Sequence, residues 1–117
     1  MFDFERLEVY QKAKEQNKEI LGYLRNNKQI DSYIRDQLKR ASISIIINIA
    51  EGSGQFSKAA KKSYYTISRG SVYECVSLLE ILLDEHYLDQ KQFGIFKNIY
   101  ETISKMLYKL IESQKTP

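Results

Sequence analysis

The chain has 117 residues, a formal net charge of +3, five glycines, one proline and one cysteine. That length supports one domain with its own core, and a single cysteine excludes an internal disulfide. The mild basic excess permits nucleic-acid contact without requiring it, and no apolar run is long and unbroken enough to span a bilayer.

The rest of the composition points to an all-α chain, because Lys, Glu, Leu and Ile are plentiful and the only proline is residue 117. The acidic start, MFDFE, lacks the basic-then-apolar order of a secretion signal, so a reducing cytoplasm is the expected location. The whole of residues 1–117 reads as one domain without internal repeats.

The first helix is predicted over about residues 3–26. Asp3 or Phe4 opens it, with Glu5 at the positive end of the helix dipole. Leu7, Tyr10, Asn17, Leu21 and Leu24, flanked by Ala13 and Ile20, recur at helical spacing. Residues 26–29 make the turn.

The second helix is predicted over about residues 31–51, with Asp31 or Ser32 as its cap. Tyr33, Ile34, Leu38, Ala41, Ile45 and Ile49 form one face. Ile43, Ile46, Ile47 and Ala50 widen it until the second half is apolar nearly all round. A bundle helix covers one face only, so this one calls for a further partner, most simply another copy of the chain. Gln37, Arg40, Ser44, Asn48 and Glu51 form one narrow polar stripe on it. The helix runs into Gly52-Ser53-Gly54, where glycine can close it through a left-handed conformation.

The third helix is predicted over about residues 57–86, capped by Ser57, with Ile67, Ser71, Cys75, Leu78, Leu79 and Leu82 inside. Gly70-Ser71 in mid-helix would admit a close neighbour, at about 1 kcal/mol relative to Ala. The fourth is predicted over about residues 89–113, with Asp89 and Gln92 as a capping box. Phe96, Tyr100, Ile103, Leu107 and Leu110 are its seam, widened by Ile99 and Met106, and residues 113–117 are a frayed tail. Short links force antiparallel neighbours, which gives an up-down-up-down four-helix bundle.

Little catalytic chemistry is visible. The only histidine, His86, has no Glu three residues before it, so a bundle di-metal motif is missing and no metal or cofactor is expected. Cys75 sits on an apolar helix face as an inert thiol. Glu51 and Glu74 could be read as an acid–base pair, but neither a nucleophile nor a phosphate loop accompanies them, and a structural role fits better. The best functional candidates are Lys58, Lys61, Lys62 and Arg69. No acid lies between Gly52 and Tyr73, and Gln55, Ser57, Tyr64 and Tyr65 flank the cations. Lysines and tyrosines beside a loop can hold phosphate and stack bases, while the alternative is a solvated helix start.

The segments FERLEVYQKA (4–13), QLKRA (37–41), SISIIINIAEG (42–52) and SRGS (68–71) with Glu74 carry a resemblance. The chain resembles the bacterial four-helix bundle proteins encoded in intervening sequences of 23S rRNA genes. That resemblance implies an antiparallel bundle assembled as a ring-like homopentamer. It also implies similarity to the accessory protein of diversity-generating retroelements, a basic pentameric barrel that binds nucleic acid and a reverse transcriptase. The chain departs from the family at Gln55, where many members carry Arg, and at Asp31, where Pro is common. On this reading Arg40, Asn48, Glu51, Arg69, Ser71 and Glu74, with Gly52 and Gly70, form a structural network that fixes helix two on helix three and sets the subunit contact. The expected function is a non-enzymatic, oligomeric, nucleic-acid-binding accessory factor. The alternative is a structural or protein-interaction bundle.

Overall fold

The computed structural model describes residues 1–115; Thr116 and Pro117, the end of the expected tail, lie outside the described residues. A short 3-10 turn, Asp3–Arg6, precedes four helices: α1 Glu8–Arg25, α2 Ser32–Ser53, α3 Lys58–Asp84 and α4 Gln90–Ser113. The chain is all-α, and the bundle measures 47 × 26 × 21 Å. Each helix packs on two others, α1 on α2 and α4, α3 on α2 and α4. Cross-helix hydrogen bonds give the directions. Gln16 and Tyr23 of α1 reach the carbonyls of Phe96 and Tyr87, Ser68 and Ser71 of α3 reach Ile45 and Ser44, and Ser42 of α2 reaches Asn17. One partner's number rises as the other's falls for α1 with the α4 side and for α2 with α3, and Arg35 on Leu24 beside Ser42 on Asn17 does the same for α1 and α2, so these neighbours are antiparallel.

The first helix starts later than its periodicity suggests. Leu7 is extended, with φ −73° and ψ 124°, and separates the 3-10 turn from α1. The Phe2 N–H donates to the Glu5 carboxylate at 2.7 Å, and Phe4 packs on Tyr10, so this segment folds back rather than extending the helix. The buried stripe of α1 is Val9, Ala13, Gln16, Ile20 and Leu24: the expected Leu24, Ala13 and Ile20 lie inside, whereas Leu7, Tyr10, Asn17 and Leu21 are only partly buried and Val9 and Gln16 join the core.

Helix ends follow local chemistry. The Ser57 hydroxyl accepts from Ala60 N–H at 3.1 Å, and Asp89 Oδ1 accepts from Gln92 N–H at 2.7 Å. Only this half of the expected capping box forms. Asp31 occupies the cap of α2 without a side-chain bond. Arg35 closes α1 from outside, donating to the carbonyls of Leu24 and Asn27 at 2.6 Å each. Among the described residues no glycine has positive φ, so Gly54 ends α2 in an ordinary right-handed conformation. The left-handed position falls instead on His86, φ 65°, where the Tyr87 N–H returns to the Leu82 carbonyl at 2.9 Å.

The core holds Leu38, Ile45, Ile49, Leu79, Leu82, Ile103 and Leu107, with Tyr100 and Cys75 at mid-height. The expected seam of α4 is buried up to Leu107, with Leu110 at its edge. On α3 the expected Ile67 is half exposed, whereas Tyr65 and Ser68 are buried. No helix among the described residues is long and apolar enough to cross a membrane.

Candidate nucleic-acid interface

The four cations singled out on α3 divide by what they touch. Lys58 and Lys62 are exposed at the start of the helix. Lys61 turns back across the loop, and its Nζ donates to the Ser53 carbonyl at 2.8 Å. That lysine caps the C-terminal end of α2, where free carbonyls and the helix dipole favour a cation. Arg69 lies about two turns further along, on the side that faces α4. Its Nε donates to the Ser104 carbonyl at 3.4 Å and its Nη2 to the Tyr73 hydroxyl at 3.2 Å. The guanidinium carbon sits 5.1 Å from the Tyr73 ring centroid and 5.7 Å from that of Tyr108. None of the four pairs with a carboxylate. The only ion pair among the described residues joins Lys115 to Glu112.

At 100° per residue, Lys58, Lys62, Arg69 and Tyr73 share one side of α3. Facing them on α4 are Lys97, Ser104, Lys105 and Tyr108. The helical period of α3 makes Tyr73 readable as a neighbour of Arg69, because the two are four residues apart. Lys97, Lys105 and Tyr108 belong to another helix, and no local pattern assigns them.

The polar stripe of α2 splits as well. Ser44 is its centre. Asn48 Nδ2 donates to the Ser44 carbonyl at 2.9 Å and to its hydroxyl at 3.1 Å, and the Ser71 hydroxyl meets the Ser44 hydroxyl at 2.9 Å. Arg40 bonds only Gln37 within its own helix, at 2.7 Å. The side chains of Glu51 and Glu74 are exposed and make no hydrogen bond among the described residues. So the network inside one chain is Ser44, Asn48 and Ser71. Arg40, Glu51 and Glu74 stand on the outer face of α2 and α3, where water makes an ion pair worth little.

That outer face is apolar between its charges. Ile43, Ile47, Ile67 and Ile81 are each exposed by 41–50%. Gly70 lies among them with open space where a Cβ would be, so no helix of the same chain uses the gap it leaves. Gly52, by contrast, lies inside α2 against the ring of Tyr65.

Among the described residues two side-chain polar atoms are buried without a hydrogen-bond partner: Gln16 Oε1 and the Tyr100 hydroxyl, which lies beside Cys75 and Ser42. Burial pushes the Cys75 thiol up to about 12 and the Tyr100 phenol well above its ordinary value. Both groups are neutral at pH 7 and closed to solvent. No group of three or more His, Cys, Asp or Glu side chains among the described residues could hold a metal ion.

A family model described as 23S rRNA-intervening sequence protein matches residues 5–109. The fold is similar to a crystal structure from Bacteroides thetaiotaomicron, described as a protein with unknown function from the S23 ribosomal protein family. The TM-score is 0.83 at 25% sequence identity, covering 89% of this chain and 98% of that one. No curated protein matches the chain.

Proposed function

The chain belongs to the 23S rRNA-intervening sequence protein family, and from that premise we propose that it is a non-enzymatic, oligomeric bundle that binds nucleic acid as an accessory factor. The observation that carries this reading is the side of α3 that bears Lys58, Lys62 and Arg69, none of them neutralised by a carboxylate. Cations left without anions on one helix side are the footprint that a phosphate backbone fits. The outer face of α2 and α3, with its four half-exposed isoleucines, supports association with further copies. At 100° per residue the cations and the α3 isoleucines are centred about 140° apart around the helix, so the two faces are distinct. Five copies is the number that the family resemblance implies.

Fluorescence anisotropy against a structured RNA and a duplex DNA, from low to physiological salt, tests the reading. Affinity should fall steeply with salt, with each phosphate contact adding about 0.9 to the logarithmic slope on duplex DNA. The double variant Lys58→Gln, Lys62→Gln should flatten that slope and weaken all sequences alike. Absence of binding at low salt overturns the nucleic-acid role. The exposed isoleucine face then favours a bundle whose partners are proteins.

A further inference from the structure

We propose that the groove between α3 and α4 is a single-strand site, in which the phosphate of one extruded nucleotide meets Arg69 while its base stacks on Tyr73 or Tyr108. This rests on the nucleic-acid reading above and adds the class of nucleic acid to it. The groove has a volume of about 460 Å³, within the range of small-ligand clefts. Val72, Val76 and Tyr100 make its floor, and Lys97 and Lys105 stand on its walls.

Three features converge on one nucleotide. Arg69 is half-buried and positively charged, has no carboxylate partner, and its Nη1 has no hydrogen bond among the described residues. A partly desolvated guanidinium in that state is completed by an anion, and phosphate matches its donor fork. The rings beside it are the second feature. Tyr73 and Tyr108 are 59% and 52% exposed, so each gives one face to the guanidinium and keeps much of its surface in water. Such rings are platforms for bases, which present π-faces only when they are unpaired. The third is the charge gradient. Lys62 and Lys58 continue from Arg69 towards the start of α3, roughly 10 and 16 Å along the axis at the helical rise, as a track for neighbouring phosphates. The lining acid Glu80 lies eleven residues in the other direction, roughly 16 Å from Arg69 along the same axis. Glu101, the other acid in the groove, forms no ion pair with Arg69. A duplex keeps its base faces stacked inside and would leave both rings unused.

The test compares a labelled oligo-uridine strand with an RNA duplex of the same length, at one low salt concentration. The wild-type protein should bind the single strand more tightly. The double variant Tyr73→Leu, Tyr108→Leu should weaken single-strand binding about tenfold, as loss of a stacking partner does, and leave duplex binding unchanged. Tyr73→Phe should retain affinity, because the ring remains. The wild-type strand preference needs no variant, so the proposal stays open to refutation if a variant folds poorly. Equal binding of strand and duplex, or a Leu double variant of wild-type affinity, overturns this groove assignment and leaves the wider nucleic-acid role standing. Failure of the wild type to bind either one overturns both. An acidic peptide that displaces the strand at equal concentration assigns the groove to a protein partner and overturns the proposal.

Discussion

Gly52 of α2 lies against the ring of Tyr65 of α3: a Cβ at Gly52 would fall 2.7 Å from Tyr65 Cε1 and 2.9 Å from its Cδ1. Those distances are shorter than any real Cβ contact. The Tyr65 ring is itself buried, and Cβ of Tyr64, 3.1 Å away, blocks the remaining side. The glycine is therefore required by packing, since its own backbone is helical. Gly52→Ala gains up to about 1 kcal/mol of helix propensity but forces α2 and α3 apart, and overpacking of that kind costs about 1–3 kcal/mol. Thermal melting should show a net loss. A variant as stable as the wild type would mean that Tyr65 can move aside.

His86 spends its side chain on no chemistry and its backbone on a turn. Its φ of 65° costs a non-glycine residue about 1 kcal/mol, and the bonds that end α3 hold it there. His86→Gly should raise stability by somewhat less than that, because glycine also loses more freedom on folding. Chemical denaturation reads the sign directly, and a loss of stability would show that the imidazole contributes something the turn geometry does not.

Burial pushes the Cys75 thiol up to about 12, from an ordinary value of 9.0. The unfolded chain therefore releases this proton at lower pH than the folded one does. Stability from the group is full below about pH 9 and is lost as the pH climbs towards 12, and the raised Tyr23, Tyr65 and Tyr100 phenols act in the same direction. Denaturant midpoints should be flat from neutral pH to about 9 and then fall. Native protein at pH 8 should leave Cys75 unreacted with a thiol reagent, while denaturant exposes it. Rapid native labelling would contradict the burial.

Much of this fold is legible in the sequence because apolar periodicity repeats over long helices. The seam of α4 and the caps Ser57 and Asp89 are local signals, and they hold. The α1 stripe is met at Ala13, Ile20 and Leu24, and its missed member has a physical cause: Gln16 is polar by composition yet buried, because its amide donates to the Phe96 carbonyl across the bundle at 2.9 Å. Ser68 is hidden in the same way by its bond to the Ile45 carbonyl at 2.8 Å. Leu21 and Ile67 are apolar but sit at the margins, where composition alone places them inside. The basic cluster is only half legible. The role of Lys61 depends on the end of α2, and that of Arg69 on Tyr108, so neither can be read along α3 alone.

The division among the lysines is itself testable. Lys61→Gln removes the cap on the Ser53 carbonyl, so it should cost about 0.5–1 kcal/mol of stability and barely change the salt slope of nucleic-acid binding. Lys58→Gln and Lys62→Gln should do the reverse. Melting and salt titration on the three single variants separate the two effects. A Lys61 variant that flattens the slope as much as the others would return that residue to the binding face.

The outer face of α2 and α3 gives the sharpest prediction about assembly. Gly70 costs α3 about 1 kcal/mol relative to Ala, yet open space surrounds it within the chain. In a lone bundle, Gly70→Ala is therefore stabilising. Where a second copy packs on Ile47 and Ile67, the added methyl occupies the gap its helix would enter. Light scattering on the wild type should give a mass of several chains. Gly70→Ala should shift it to smaller species, and Ile47→Lys with Ile67→Lys should leave a folded monomer, since both positions are about half exposed already. Gly94, which also has open space around it, is the control on α4, and Gly94→Ala should raise the melting temperature without changing the mass. A monomeric wild type, or a Gly70→Ala protein of full mass and higher stability, would remove this face from the interface and leave its isoleucines to a different partner.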